Sequence, residues 1–295
     1  MLIVKIRMKK IEKNIGIILA LIAAVCFGLS NTFAGLAYSG GATPFTMSAT
    51  RFFLPSLILI IIILAQRAPI FLPTKSGLIA ALLGVITILY TIALLEAVQL
   101  LLVPIAVLIF YLFPIFTGII LKIVGWGHFN MAKALATLVA FGGLALTLLV
   151  EIEKVEKIGV GLAALAAVGL AIVSAVSQRL IRDEDPRQAT LYMAATALMV
   201  MVILVIIEGS LPLPSNITGW VGFSLSNIMY AAAMISFFYA ISISGAGTTT
   251  FFSNLEPLVV VGAAFLFLDQ SLTIVQLFGV LVVVLALIFY ARTES

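Results

Sequence analysis

The chain has 295 residues, of which 63% are hydrophobic and only 9% charged, with a mean hydropathy of +1.30 and a formal net charge of +4. Soluble domains carry roughly 25% charged residues, so this composition leaves too little polar surface to cover a globule in water, and lipid must face most of the exterior. The single cysteine, Cys26, excludes an intrachain disulfide and a multi-thiolate metal site.

Residues 1–14 read as a basic cytoplasmic segment, in which Lys5, Arg7, Lys9, Lys10 and Lys13 precede an apolar stretch of full spanning length. No small-residue cleavage site is evident there, so the stretch is expected to stay as a first span. A helix needs about 20 apolar residues to cross the hydrocarbon core. Ten such segments follow one another, at 15–38, 45–65, 77–98, 101–123, 129–150, 158–181, 187–208, 219–241, 246–268 and 272–291. Their separators have physical causes: Gly40-Gly41 with Pro44, Pro69 with Pro73, the charged runs Glu151 to Lys157 and Arg182 to Arg187, and Pro212 with Pro214.

Lys and Arg collect on the cytoplasmic side of a membrane protein. With the N-terminus inside, thirteen of the sixteen lie in the cytoplasm or at its boundary: the five above, Arg67, Lys75, Lys122, Lys133, Arg179, Arg182, Arg187 and Arg292. Lys154 and Lys157 fall outside, and Arg51 lies within a span. The count favours ten spans in a cell membrane, plasma or inner, with both termini cytoplasmic.

A shift of 143 positions brings the chain into register with itself. Gly16 falls on Gly159, Ala20 on Ala163, Ala23-Ala24-Val25 on Ala166-Ala167-Val168, and Pro114 on Pro257. The paired prolines weigh most, because Pro inside a helix costs roughly 3 kcal/mol in water and needs a structural reason. The chain therefore divides into 15–150 and 158–292, two five-helix repeats joined by an external linker at 151–157. Five is odd, so the second repeat enters the membrane from the opposite side. Such inverted repeats commonly build alternating-access carriers with a site near the midplane.

The second half reads Phe237-Phe238-Tyr239-Ala240, then Ser253-Asn254-Leu255-Glu256-Pro257, then Leu268-Asp269-Gln270-Ser271-Leu272-Thr273 and Gly279. This order resembles the repeat ending of the EamA-type ten-helix carriers of the drug/metabolite transporter superfamily. Leu112-Phe113-Pro114 and Gly142-Gly143 are the weaker counterpart in the first half. Asp269-Gln270 departs from the family's Gly-Glu, and Trp126-Gly127 occupies the corresponding place in the first repeat. The resemblance implies an all-α membrane protein in which helices 1–4 and 6–9 surround a central cavity, with helices 5 and 10 at the periphery. It also implies transport of a small organic solute, an amino acid or related metabolite, with export the expected direction.

Ionisable groups at membrane depth are costly and point to function. Glu256 lies about ten residues into its span, near the midplane, and shares a helical face with Thr249 and Ser253. It can take up a proton or bind a substrate amine; the plainer reading is that it satisfies backbone groups released by Pro257. Arg51, about seven residues past Pro44, can bind a carboxylate or snorkel to the headgroups. Asn254, Tyr90, Asn227, Tyr230, Asn31 and Tyr111 complete the candidate substrate- or proton-binding set, and Pro114 and Pro257 are candidate helix breaks for gating. Ser30, Thr32, Thr87, Thr91, Ser174, Ser177 and Gln178 read first as interhelical glue. His128, the only histidine, reads as a loop residue.

Metalloprotease chemistry needs an H-E-x-x-H arrangement and ATP-driven transport a Walker A sequence, and neither is present. No enzyme activity, cofactor, metal or nucleic-acid partner is expected. A channel or facilitator is the alternative within transport, and an intramembrane enzyme the alternative outside it. The expected partners are a small-molecule substrate and the lipid bilayer, for a monomer or a homodimer.

Overall fold

The computed structural model describes residues 2–127, 130–149, 156–267 and 272–294, so His128, Asp269 and Gln270 lie outside it. Among the described residues every element is helical: α1 (Leu2–Ser39), α2 (Pro44–Thr50), α3 (Phe53–Ala65), α4 (Thr74–Leu100), α5 (Val103–Phe110), α6 (Phe113–Ile123), α7 (Met131–Thr147), α8 (Lys157–Asp183), α9 (Pro186–Glu208), α10 (Ile217–Phe252), a 3₁₀ turn at Ser253–Leu255, α11 (Glu256–Phe267) and α12 (Ile274–Glu294). Eight stretches are long and apolar enough to cross a membrane, and α7 is a shorter apolar helix. Leu78, Ile206 and Ile217 are 68%, 72% and 83% exposed, an outer surface suited to hydrocarbon rather than water.

The two spans expected at 219–241 and 246–268 form one run of 47 residues, Ile217–Ala263. Straight, it would reach about 70 Å, more than twice the roughly 30 Å hydrocarbon core. It breaks at Gly245, whose φ of 80° and ψ of 161° lie where essentially only glycine fits. Gln178 closes the break: its Oε1 accepts from the Ala246 N–H at 2.7 Å, and its Nε2 donates to the Trp126 carbonyl at 3.2 Å.

The spans expected at 45–65 and 101–123 are each split in two, at Arg51-Phe52 and Tyr111-Leu112. Proline supplies the reason. Pro55, Pro114 and Pro257 have no N–H, so the carbonyls four residues back, of Arg51, Phe110 and Ser253, lose their helical donors. The backbone answers with two broken turns and the 3₁₀ turn. That turn also interrupts the expected stripe of Thr249, Ser253 and Glu256. Thr249 and Ser253 donate instead to carbonyls four residues back, at 2.9 and 3.3 Å. This is the usual refuge of a hydroxyl in an apolar helix.

Helix pairs meet through small residues. Helices α1 and α10 run antiparallel, with Gly16 against Ser244, Ser30 bonded to Ser226, Gly222 against Phe33 and Ala37, and Gly40 against Gly219. Helices α8 and α4 pair in the same sense, with Gly159 against Leu101 and Gly169 against Tyr90. Helices α7 and α12 meet where Gly143 faces Gly279 and Val283.

Two sets of hydrogen bonds fasten the ends. At one end, Ser215 donates from N and Oγ to the Gly40 carbonyl at 2.8 and 2.9 Å, and Thr46 donates to the Pro212 carbonyl at 2.9 Å. At the other, Gln188 donates to the Pro69 carbonyl, Arg187 donates to Gln66, and Ser76 donates to Glu184 at 2.6 Å. Asp185 orders this second end. It accepts from the Arg187 N–H at 2.8 Å as the N-cap of α9 and pairs with the Arg187 side chain. The Arg187 guanidinium holds the Asp185 carboxyl below the usual carboxylate range. Its contribution is therefore complete at neutral pH and is lost as pH falls through that lowered value. Asp185→Ala is expected to cost about 1–2 kcal/mol, the worth of an N-cap, read as a lower midpoint of thermal unfolding at pH 7 and a smaller difference in acid.

Candidate functional site

The three proline breaks converge. Glu256, the first residue of α11, accepts a hydrogen bond from Asn31 Nδ2 of α1 at 2.8 Å. The Tyr111 hydroxyl, from the α5–α6 break, is within hydrogen-bonding reach of the same carboxyl. Helix α1 comes this close because residue 28 is glycine: a Cβ there would lie 2.9 Å from the Glu256 carbonyl oxygen and 2.8 Å from Val259.

Arg51 approaches from the α2–α3 break. Its guanidinium carbon lies 4.8 Å from the centroid of the Tyr230 ring, a cation–π contact. Its Nε donates to the Met47 carbonyl at 3.4 Å, and the guanidinium is within reach of the Tyr230 hydroxyl. The charges of Arg51 and Glu256 act on one another and on Tyr90. One cation and one anion, from different halves of the chain, thus lie within electrostatic reach of one another.

Aromatic rings pack around the pair. Phe27 and Phe52 each meet Tyr230 edge-on, with centroids 5.5 and 5.6 Å apart, and Phe27 meets Phe237 at 6.2 Å. On the other side Tyr90 lies 6.4 Å from Phe110, which meets Tyr111 edge-on at 5.9 Å. The α8 backbone presses on Tyr90, since a Cβ on Gly169 would lie 2.6 Å from the Tyr90 Cβ. From Glu256 an uncovered face of α1 carries Asn31, Gly35 and Tyr38 towards the α1–α2 turn. Apart from its own stretch of helix, no atom lies within 4 Å of where a Gly35 Cβ would stand.

Six of the eight candidate binding residues are therefore gathered here: Glu256, Asn31, Tyr111, Tyr90, Tyr230 and Arg51. Asn254 is 1% exposed and donates to the Phe251 carbonyl at 2.6 Å, on its own turn. Asn227 lines a groove between α2, α3, α9 and α10. Pro114 and Pro257 each lie just beyond a break that places a site residue. Thr32, Thr87, Thr91 and Ser174 donate to carbonyls four residues back at 2.7–3.0 Å, which accounts for their hydroxyls within their own helices. Sequence reasoning missed the rings of Phe27, Phe52 and Phe110, and the break at Arg51. Pro55, four residues past Arg51, was the available signal.

No group of three or more metal-binding side chains occurs among the described residues. The arrangement offers a charged pair among aromatic rings within a helical membrane bundle. A family model described as the EamA-like transporter family matches residues 14–149 and, a second time, residues 157–292. The chain belongs to the EamA-like transporter family.

This transporter is accordingly a multi-pass membrane protein of the drug/metabolite type, built on a two-repeat plan. Among curated proteins, none matches the sequence. In structure, 29 solved chains match it. One of them, described only as "Crystal structure of protein", is similar with a TM-score of 0.74 over 94% of this chain and 99% of that one, at 18% sequence identity. At that identity the likeness concerns the fold.

Proposed function

We propose that this transporter moves a small organic solute bearing both a cationic and an anionic group, an amino acid or a related metabolite, by alternating access. The observation that carries the reading is the charged pair, which we take to line a central chamber: Glu256, held by Asn31 and Tyr111, is within electrostatic reach of Arg51, held over Tyr230. A carboxylate and a guanidinium complement an amine and a carboxylate, and the aromatic wall accommodates an apolar side chain.

The architecture we infer is ten crossings in two inverted repeats, 15–150 and 158–292, joined at 151–157. The broken Ile217–Ala263 run counts as two crossings and α7 as one. Equivalent contacts support the two-fold relation. Gly16 meets Ser244 while Gly159 meets Leu101, and Thr46 bonds the Pro212 carbonyl while Gln188 bonds that of Pro69. Adding 143 to 16 and to 69 gives 159 and 212; subtracting 143 from 244 gives 101. Rocking one repeat against the other about the proline breaks would open the chamber to each side in turn.

With both termini cytoplasmic in the cell membrane, the uncovered face of α1 leads outward. Gly35→Cys, in a protein whose Cys26 is replaced by alanine, is expected to react with a membrane-impermeant maleimide added outside intact cells. Protection of Gly35→Cys from that reagent would overturn the outward-open assignment.

Transport is tested in proteoliposomes. Saturable counterflow of a zwitterionic solute is the expected result, and unsaturable single-channel current would favour a channel. A metabolite screen by thermal unfolding identifies the solute, because ligand at 100 times its Kd adds about 2.7 kcal/mol to the stability of the native state. Export is the direction we propose.

A further inference from the structure

Gln178 of α8 joins two segments from different halves of the chain. Its Oε1 accepts from the Ala246 N–H at 2.7 Å, just past the α10 break, and its Nε2 donates to the Trp126 carbonyl at 3.2 Å, just past α6. Beside this bridge Leu121 of α6, 6% exposed, lies 3.5 Å from where a Gly247 Cβ would stand. One side-chain amide thus holds the end of α6 against α10. The bridge lies at the end of the bundle opposite to the one that the uncovered face of α1 reaches. Ser244, two residues before Ala246, donates to the Lys13 carbonyl at 3.4 Å, near the start of α1. Ten residues, roughly 15 Å of helix, separate Ala246 from Glu256.

The neighbouring contact of Gly16 with Ser244 has its counterpart under the 143-residue shift in that of Gly159 with Leu101. The Gln178 bridge has none. Subtracting 143 from 178 and from 245 gives 35 and 102. Position 35 is glycine, which has no side chain to reach across. Leu102 has a φ of −59° and a ψ of 134°, ordinary extended backbone. A leucine does not take the φ of 80° and ψ of 161° that Gly245 holds. The asymmetry is therefore written in the residues, and it persists when the two repeats exchange shapes.

We propose that Gln178 is the latch of the cytoplasmic gate: its bridge is made while the charged pair is open outward, breaks for the end of α6 to leave α10, and has no equivalent at the outer end. The proposal rests on the alternating-access reading above. When two inverted halves exchange conformations, a contact present in both survives the exchange, and a contact present in one is made or broken by it. Hydrogen bonds formed in one state alone shift the equilibrium towards that state by their own free energy. The latch accordingly makes the outward-open state the resting one.

The test follows the minor, inward-open state, whose small population changes by the full factor. It uses the full chain with Cys26 replaced by alanine, in inside-out membrane vesicles, and a membrane-impermeant maleimide. Leu121→Cys is expected to react slowly from the cytoplasmic side, and about ten-fold faster when combined with Gln178→Ala, the effect of two hydrogen bonds. Gln178→Glu separates a latch from a cap. An ionised glutamate still accepts from the Ala246 N–H but cannot donate to the Trp126 carbonyl, so Leu121→Cys should react at least as fast as in Gln178→Ala. If Gln178 served only to close the α10 break, Gln178→Glu would leave the rate at its native value. Leu144→Cys, fully buried in α7, should stay unreactive throughout. Unchanged rates at Leu121→Cys in both Gln178 variants, or a rise shared by Leu144→Cys, would overturn the latch while leaving the outward reactivity of Gly35→Cys intact. Reaction of Leu121→Cys from both faces of the membrane would overturn the alternating-access reading itself, and the latch with it, because a continuous pore has no gate to hold.

Discussion

Replacing Glu256 with glutamine is expected to lower solute uptake by ten-fold or more while leaving the protein folded. Glutamine keeps a carbonyl oxygen that accepts from Asn31 Nδ2, and its amide nitrogen can donate to the Tyr111 hydroxyl, so the start of α11 stays tied to both partners. What disappears is the negative charge facing Arg51. A hydrogen bond to a charged group is worth about 1.5–3 kcal/mol, equivalent to a 10- to 100-fold loss of affinity for a solute amine. Uptake and thermal unfolding measured on the same preparation separate the two roles. Full uptake with an unchanged dependence on pH would make Glu256 a structural residue, there to satisfy the backbone that Pro257 releases.

A large effect on stability is expected at Gly222. A Cβ there would lie 2.6 Å from the Leu36 Cβ, 2.7 Å from the Phe33 carbonyl oxygen and 2.8 Å from the Ala37 nitrogen. Two of those atoms are backbone, so no rotamer change makes room and α1 must move away from α10. Overpacking of this kind costs typically 1–3 kcal/mol, and Gly222→Ala should lower the thermal midpoint accordingly. Gly222→Val should prevent recovery of folded protein from detergent extracts. Gly118→Ala is the matched control, since no atom lies within 4 Å of the added Cβ, and it should leave the midpoint level or raise it through better helix propensity. Equal losses at both glycines would mean that the α1–α10 contact is not a determinant of stability.

Much of the helical plan was legible because hydrocarbon imposes it: apolar length marks a span, and Gly, Pro and charge mark its ends. Places where backbone geometry departs from that rule were harder to read. The span expected at 45–65 carries no sign of its break except Pro55, which resembles any tolerated proline until Arg51 is seen to lack a helical neighbour. Glu256 was legible as an ionisable group at depth, but its partner Asn31 is 225 positions away, and no local pattern joins them. Asn254 and Asn227 show the converse. Each is polar and centrally placed in sequence, yet one turns back to its own carbonyl and the other looks into a different groove, because a rotation of about 100° per residue decides which face an amide occupies.

The two fastened ends of the bundle are related by position but not by chemistry. Around Gly40 and Pro212 the bonds join neutral groups, whereas around Pro69 two of the bonds engage the charges of Arg187 and Glu184. A hydrogen bond to a charged group is worth about 1.5–3 kcal/mol, against about 1 kcal/mol for a neutral pair. The two ends, both fastened in this structure, are therefore held with unequal strength. Removing either charge, as in Arg187→Met or Glu184→Ala, therefore takes more from the second end than removing any one neutral bond takes from the first, and the two ends differ in what it takes to undo them.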